Sequence, residues 1–223
     1  MAVSSVALQQ EPKWRRRPGL RRAQILDSAV LAFGQNGFKR TTLADVAARA
    51  RVSPGTVCHY FGSKASLFEE VVAERLMPFV EIEEAILAKH QGPYWELLDQ
   101  VLRHFWERAW QPGILDLMQV VKVESAEFPE PGRLLCRQLS QRWKKLYSVI
   151  LREGVASGEF RPLNVNVAAR TMSYAILGVA EKVSTFASYD ATMPDREEMW
   201  QAIREMVARF VLAKPSRAAN KEK

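Results

Sequence analysis

The sequence is poor in the residues that build metal sites and disulfide frameworks. It has two cysteines and three histidines in 223 residues, and the cysteines, Cys58 and Cys136, show no CxxC spacing. This pattern sets up neither a disulfide scaffold nor a zinc site, and it is typical of a protein in a reducing cytoplasm. We therefore expect a cytoplasmic protein with no bound metal.

Long apolar runs and catalytic motifs are lacking too. No run of roughly eighteen apolar residues occurs, which argues against a membrane-spanning helix, and the first residues lack the pattern of a secretory signal. A glycine-rich phosphate loop and a nucleophile elbow are missing. The pairs Glu69-Glu70 and Glu83-Glu84 are typical of solvated helix faces. The sequence thus predicts no enzyme, no cofactor and no membrane partner.

Positive charge is in excess, and it lies at one end. The formal net charge is +7, and the first 60 residues hold ten of the 32 basic residues but only three of the 25 acidic ones. The rest of the chain is therefore neutral overall. A polyanion is the expected partner of such a segment, because each neutralised phosphate releases a condensed counterion. On charge alone, a solvated basic tail remains the alternative.

Apolar periodicity is helical from Leu20 onward, and strand-like alternation is absent. In the first predicted helix, Gly34 and Gly37 are expected to end the helix, with Gly37 suited to a left-handed turn. The pattern predicts an all-α fold, with short helices at the N-terminus and longer ones after them. The predicted segments are a flexible basic arm (1–18), the DNA-binding domain (19–66), the helical domain (67–214) and a disordered tail (215–223).

The segment from Thr41 to Phe61 predicts a helix, a tight turn and a short helix. Thr41 or Thr42 caps the first helix, and Ser53 caps the second, with Pro54 in its first turn. In a helix-turn-helix the second helix enters the major groove, where Gly55 allows close backbone approach. The candidate DNA contacts are Arg22, Thr41, Thr42, Arg51, Ser53, Pro54, Gly55, Thr56, His59, Tyr60 and Lys64.

These residues carry a family resemblance. The stretch Arg22 to Phe68 resembles the DNA-binding domain of TetR/AcrR-like transcriptional regulators, through Ile25-Leu26, Gly37-Phe38, Thr41-Thr42, Asp45-Val46-Ala47, Val52-Ser53, Gly55-Thr56, His59-Tyr60-Phe61 and Ser63-Lys64. The resemblance implies an all-α fold with an N-terminal three-helix helix-turn-helix DNA-binding domain and a C-terminal helical domain for ligand binding and dimerisation. It also implies homodimers formed by the last two long helices, and repression that a ligand in the C-terminal domain relieves. More loosely, Leu117 to Pro131 is similar to a C-terminal subclass associated with multidrug efflux or stress responses.

Two residues depart from the family pattern. Arg51 stands where the turn usually has glycine, so a non-glycine residue must adopt the turn conformation at some cost in free energy. From that position the Arg51 side chain could reach a phosphate. Cys58 stands where a tyrosine commonly touches the DNA backbone, so that contact is lost. Cys58 could sense oxidation, although a small packed side chain is its commoner role.

Aromatic and methionine residues in the second half exceed what a minimal helical core requires. They predict an apolar pocket between helices with a few polar groups, suited to a lipophilic molecule; the alternative is that most of them only pack. The candidate pocket residues are Trp95, His104, Phe105, Met118, Lys122, Trp143, Tyr147 and Tyr174.

The last two long helical stripes are expected to meet their symmetry mates in a homodimer. Small and apolar residues on these stripes allow close approach and supply buried area; they are Ala168, Ala175, Val179, Val183, Ile203 and Phe210. A two-fold dimer places two DNA-reading helices about 34 Å apart, which predicts a palindromic operator.

The sequence therefore predicts a transcriptional repressor that a small lipophilic effector releases from operator DNA. One alternative is an activator or corepressor-dependent regulator of the same fold. Another, from a different class, is a helical carrier or enzyme with a vestigial DNA head.

Overall fold

The computed structural model describes residues 18–213 apart from residues 125, 127, 129, 187 and 188, and it confirms the all-α prediction. No strand occurs within this described part; one isolated bridge pairs Phe160 with Leu212. Residues 1–17 of the predicted arm and all of the predicted tail lie outside the described residues. No helix in the described ranges is both long enough and apolar enough to cross a membrane.

The N-terminal head consists of three helices, and a longer helical domain follows it. The head contains α1 (Pro18–Arg40), α2 (Leu43–Arg49) and α3 (Pro54–Phe61). A π-helical turn (Val72–Leu76) joins α4 (Lys64–Val71) to α5 (Met77–Lys89). The remaining helices are α6 (Tyr94–Ala109), α7 (Ile114–Glu124), α8 (Glu130–Ala156), α9 (Val165–Phe186) and α10 (Arg196–Val211).

The two glycines near the end of α1 have different roles. Gly37 has φ +78°, which confirms the left-handed conformation predicted for it. Gly34 does not end the helix, so that part of the prediction is wrong. It lies where α1 packs on α7, and a Cβ atom there would stand 2.8 Å from the Cβ of Asp116. The missing side chain thus lets the two helix backbones approach closely.

An aromatic cluster fastens the head to the rest of the chain. Phe33 and Phe38 of α1, Phe68 of α4 and Phe128 after α7 are all buried. The Phe68 ring centroid lies 5.1 Å from that of Phe33, 5.0 Å from Phe38 and 4.5 Å from Phe128. Aromatic pairs at such distances stabilise beyond the area they bury. The head therefore shares part of its core with the helices that follow it.

We expect Gly34→Ala to destabilise the chain, because the added methyl group forces α1 and α7 apart. Overpacking of this kind costs about 1–3 kcal/mol, more than the gain in helix propensity from replacing glycine. Urea unfolding would measure the change. The matched control is Gly19→Ala, also in α1, where a Cβ atom meets nothing within 4 Å. A Gly34→Ala protein as stable as the control would contradict this account of the α1–α7 contact.

Candidate DNA interface and effector cavity

A capping box fixes the start of α2. The Thr42 hydroxyl accepts a hydrogen bond from the Asp45 backbone N–H at 3.2 Å, and the Asp45 carboxylate accepts one from the Thr42 N–H at 2.8 Å. Hydrogen bonds from the Thr42 side chain and backbone lower the pKa of Asp45. Two backbone donors that the helix leaves unpaired are thereby satisfied. Thr42, and not Thr41, is the N-cap.

The turn between α2 and α3 has the strain predicted at Arg51. This residue has φ +53° and is the only non-glycine residue with positive φ in the described part of the chain. A left-handed conformation costs an L-residue roughly 1–2 kcal/mol. The Arg51 side chain is exposed, so it is accessible to a phosphate of bound DNA.

Helix α3 buries one face and exposes the other. Val57 and Phe61 are buried in the head, and the Ser53 hydroxyl caps the helix by accepting from the Thr56 N–H at 3.1 Å. Eight residues give a helix about 12 Å long, so it presents few side chains to a groove. Ser53, Pro54, Gly55, Cys58 and His59 are exposed, and Thr56 and Tyr60 are half-buried.

Gly55 is not required by the fold of this chain. Its φ is not positive, and an added Cβ atom would meet only the Ser53 hydroxyl, at an ordinary 3.8 Å. Glycine inside a helix costs stability relative to alanine. A glycine that neither backbone conformation nor packing requires, on the exposed face of α3, is consistent with close approach of a ligand such as DNA.

Two predicted DNA contacts have structural roles instead. Thr41 is buried, with its hydroxyl donating to the carbonyls of Ala32 at 3.1 Å and Gly37 at 2.7 Å. Its side chain is therefore unavailable to DNA, which contradicts the prediction. The Lys64 ammonium donates to the carbonyls of Phe38 at 2.9 Å and Lys39 at 3.1 Å, so it closes the C-terminal end of α1.

Arg22 is likewise engaged within the protein. Its guanidinium forms ion pairs with Glu70 of α4 and Glu74 of the π-helical turn, and it lies over the Phe61 ring. The hydrogen bond to Glu74 is the main cause that raises the pKa of Arg22, and it lowers that of Glu74. Arg22 thus links the head to the following helix, a role that its position among basic residues did not indicate.

Glu124 is a residue whose importance the sequence analysis missed. This last residue of α7 accepts hydrogen bonds through its Oε2 from the backbone N–H groups of Phe38 at 2.9 Å and Lys39 at 3.2 Å. A Cβ atom at Gly37 would stand 2.2 Å from the same carboxylate. The end of α7 therefore holds the turn that leads into the helix-turn-helix. We call this contact the Glu124 latch.

A cavity of about 1030 Å³ lies among α7, α8 and α9. Six of the eight predicted pocket residues line it: Phe105, Met118, Lys122, Trp143, Tyr147 and Tyr174. Its volume is near the upper end of the range for small-molecule sites. The cavity also touches Leu76 in the π-helical turn, so one of its walls is continuous with the helix that adjoins the head.

Trp95 and His104 do not line this cavity, so their assignment is corrected. The Arg204 guanidinium lies over the Trp95 ring, 5.6 Å from the centroid of that ring. The Nδ1 atom of His104 is 3.2 Å from Oε1 of Glu83. Both residues are on α6, whose helical pattern does not tell which apolar neighbour faces the cavity.

Glu83 is fully buried, so the prediction of a solvated Glu83-Glu84 face is wrong for this residue. Its Oε2 atom accepts a hydrogen bond from the Trp143 indole at 2.8 Å. Burial raises the pKa of Glu83, although the hydrogen bonds from His104 and Trp143 oppose this effect. Burial also raises the pKa of Tyr147, with the Glu83 charge adding to it. Glu84 instead pairs with Arg142 at 2.6 Å.

Basic residues around the cavity were also missed. Besides Lys122, the lining includes Arg133, Arg137 and Lys144 of α8 and Arg170 of α9. The α8 residues follow one another at spacings of four and seven, which place them on one helix face. This spacing in the sequence indicated a basic face on α8. Periodicity does not tell which neighbouring helix or cavity such a face contacts.

The predicted dimer residues fall into two groups. Ala168, Val183 and Ile203 are buried in the core of their own protomer, which contradicts their assignment to a contact between subunits. Ala175, Val179 and Phe210 are half-buried. The large exposed apolar side chains on these two helices are Val167, Tyr174 and Met206.

No group of side chains suited to hold a metal ion occurs in the described residues.

Comparison with known proteins identifies the family. The chain matches the model of the bacterial regulatory proteins of the tetR family over residues 25–71. Residues 96–213 match the C-terminal domain of AefR-like transcriptional repressors. The chain is 30% identical, over 155 residues, to the transcriptional repressor KstR2 of Mycolicibacterium smegmatis, covering 69% of this chain and 75% of that protein.

The chain belongs to the TetR family. It is therefore a DNA-binding transcriptional regulator with a helix-turn-helix head, as the sequence predicted. The C-terminal match is to the AefR-like subclass.

Solved structures of TetR-family regulators share this fold. A transcriptional regulator from Saccharomonospora viridis, crystallised with choline, superposes with a TM-score of 0.71 at 19% identity, covering 88% of this chain and 100% of that one. FadR of Bacillus subtilis, in complex with stearoyl-CoA, gives 0.62 at 23% identity, with 83% and 96% covered. At these identities the likeness concerns the fold.

We expect Gly55→Ala to separate folding from DNA binding in this regulator. The substitution should raise the free energy of unfolding by about 0.4–1 kcal/mol, because alanine restricts the unfolded chain more than glycine does. Operator affinity should fall roughly tenfold, since a groove contact is worth about 1–3 kcal/mol. Thermal unfolding and fluorescence anisotropy would measure the two effects. An unchanged operator affinity would show that DNA does not approach this helix closely.

Glu83 and Glu84 are expected to give opposite pH dependences. The pKa of Glu83 is raised above its ordinary 4.5, so the folded protein loses stability as Glu83 ionises. The free energy of unfolding of Glu83→Gln should therefore increase relative to that of the wild type as pH rises above 4.5. Arg142 lowers the pKa of Glu84. The stability that Glu84 contributes is therefore present above pH 4.5 and lost as pH falls, so Glu84→Gln is the control. Urea unfolding from about pH 4 to 8 tests this; slopes of equal sign would refute it.

Proposed function

We propose that this protein is a homodimeric repressor that acts in the cytoplasm, and that a lipophilic effector in the cavity releases it from a palindromic operator. One observation carries the proposal: α7 lines the cavity through Met118, Val121 and Lys122, and its last residue holds the turn before α2. Cavity and DNA-reading head thus share one rigid element.

Exposed apolar residues on α9 and α10 support the dimer. Val167, Tyr174 and Met206 are 58%, 67% and 48% exposed in the protomer. An isologous contact of these two helices doubles the head, and one eight-residue helix needs that doubling to discriminate among sequences.

The ligands of related proteins support an effector that occupies the helical domain. The regulator from S. viridis was crystallised with choline, and FadR with stearoyl-CoA. In this chain, an occupant that displaces α7 toward or away from α1 would strain the Glu124 latch. Operator affinity would fall by the occupant's preference for the displaced arrangement.

Binding to the DNA upstream of its own gene tests the repressor proposal. The full-length protein should bind a palindromic segment there as a dimer, in preference to a scrambled duplex of equal length. Anisotropy titration measures both affinities, and analytical ultracentrifugation gives the stoichiometry. A monomer in solution, or equal affinity for the scrambled duplex, would refute the proposal.

Removal of the Glu124 latch tests the route of coupling. We expect Glu124→Ala to weaken operator binding at least several-fold, because two hydrogen bonds that orient the turn before α2 are lost. Glu153→Ala is the matched control, since Glu153 is an exposed glutamate of α8 with no side-chain partner in the described residues. Operator affinity equal in the two variants would exclude the latch as the coupling element, and circular dichroism would show whether both remain folded.

A further inference from the structure

The main cavity combines an apolar interior with basic side chains, and this combination defines a ligand class. Resting on the proposed function, we propose that the effector is an anionic amphiphile, with a long apolar tail inside the cavity and one acidic head group held by Lys144 and Arg170. The shared chemistry of the head is a carboxylate or phosphate.

The interior can hold only an apolar tail. Leu76, Phe105, Met118 and Tyr147 are each at most 6% exposed, and they line the inner wall. Of the polar groups near this wall, the Trp143 indole donates to Glu83, which also contacts His104, and the Tyr147 hydroxyl is a neutral donor on the wall itself. An acidic head placed there would lose its hydration and gain no cationic partner from these residues, which a single neutral hydroxyl does not offset. The tail therefore lies inward and the head outward.

The outer part of the lining is cationic. Lys122, Arg133, Arg137, Lys144 and Arg170 border the cavity, and none of the lining residues in the described part of the chain is acidic. Lys122 is neutralised by Glu181 at 2.9 Å. For Lys144 and Arg170 no ion pair is found with any described residue. Arg133 and Arg137 are already engaged within the protein, so Lys144 and Arg170, on facing helices α8 and α9, are the side chains that can receive an anionic head.

A second, smaller recess along α6 shows that this imbalance is local. Its lining holds Arg103 and Arg204, but each has a carboxylate partner: Arg103 pairs with Glu107 at 2.7 Å and Arg204 with Asp99 at 2.7 Å. At the large cavity, by contrast, Lys144 and Arg170 have no carboxylate partner among the described residues, so unpaired positive charge is concentrated there. Charge complementarity selects ligands by the sign of the head group.

Calorimetric titration of the intact protein, without DNA, tests the class with four probes that share a twelve-carbon tail. These are dodecanoate, dodecyl phosphate, dodecanol and dodecyltrimethylammonium, the three ionic probes below their micellar concentrations and dodecanol below its solubility limit. We expect both anions to bind roughly tenfold more tightly than dodecanol, as two partly exposed ion pairs would give, and the cation to bind most weakly. The advantage of the anions should shrink in high salt. Their order distinguishes a carboxylate head from a phosphate head.

A double charge reversal assigns the head-group site. Lys144→Glu with Arg170→Glu should remove the preference for the anions and leave dodecanol affinity within about twofold. The matched control is Arg152→Glu with Lys182→Glu, which changes the same net charge on the same two helices but away from the cavity lining. If the double reversal fails to fold, the single variants Lys144→Gln and Arg170→Gln carry the test, each with a smaller loss.

Several outcomes would overturn the proposed ligand class. These are dodecanol or the cation binding as tightly as the anions, no probe binding at all, or the control losing as much anion affinity as the double reversal. The proposed function fails separately. If an anion binds with the expected preference but leaves operator affinity unchanged, the ligand class stands and release from DNA is refuted.

Discussion

The contact between α1 and α7 is the constraint on which the other features depend. It requires a residue without a side chain at Gly34, where a Cβ atom would stand 2.8 Å from Asp116. It ends in the Glu124 latch, and the Phe33, Phe38, Phe68 and Phe128 cluster buries the space beside it. The same α7 borders the cavity, so a shift of this helix would reach both the cavity and the DNA-reading head.

The energies involved are of the size that regulation needs. A complete reversal of a two-state equilibrium takes about 5.5 kcal/mol of differential ligand binding. Two hydrogen bonds to a charged carboxylate contribute about 1.5–3 kcal/mol each, and Glu124 is half-buried, so the low end of that range applies. The free energy of the two latch hydrogen bonds is thus about half of what a complete reversal requires. The aromatic cluster limits how far the head can move.

Charged residues of the head that the sequence assigned to DNA have roles in the fold. Arg22 and Lys64 were predicted to bind DNA, yet one links α1 to Glu70 and Glu74, and the other closes the carbonyl end of α1. Conversely, Arg51 keeps its side chain exposed although its backbone is strained. The basic residues of the head therefore include some that hold its helices together and others, such as Arg51, that remain exposed.

The sequence by itself determined the all-α class, the helix-turn-helix and its Ser53 cap, the turn at Gly37 and the strain at Arg51, because these follow from spacings of a few residues. From a surplus of aromatic and methionine residues it also predicted six of the residues that line the cavity. Only the tertiary structure decided that Glu83 is buried, that Glu124 holds the head, that basic side chains of α8 and α9 meet at one cavity, and that Ala168, Val183 and Ile203 face their own core. Helical periodicity tells which residues share a face, but the partner of each face is set by contacts between residues far apart in the chain.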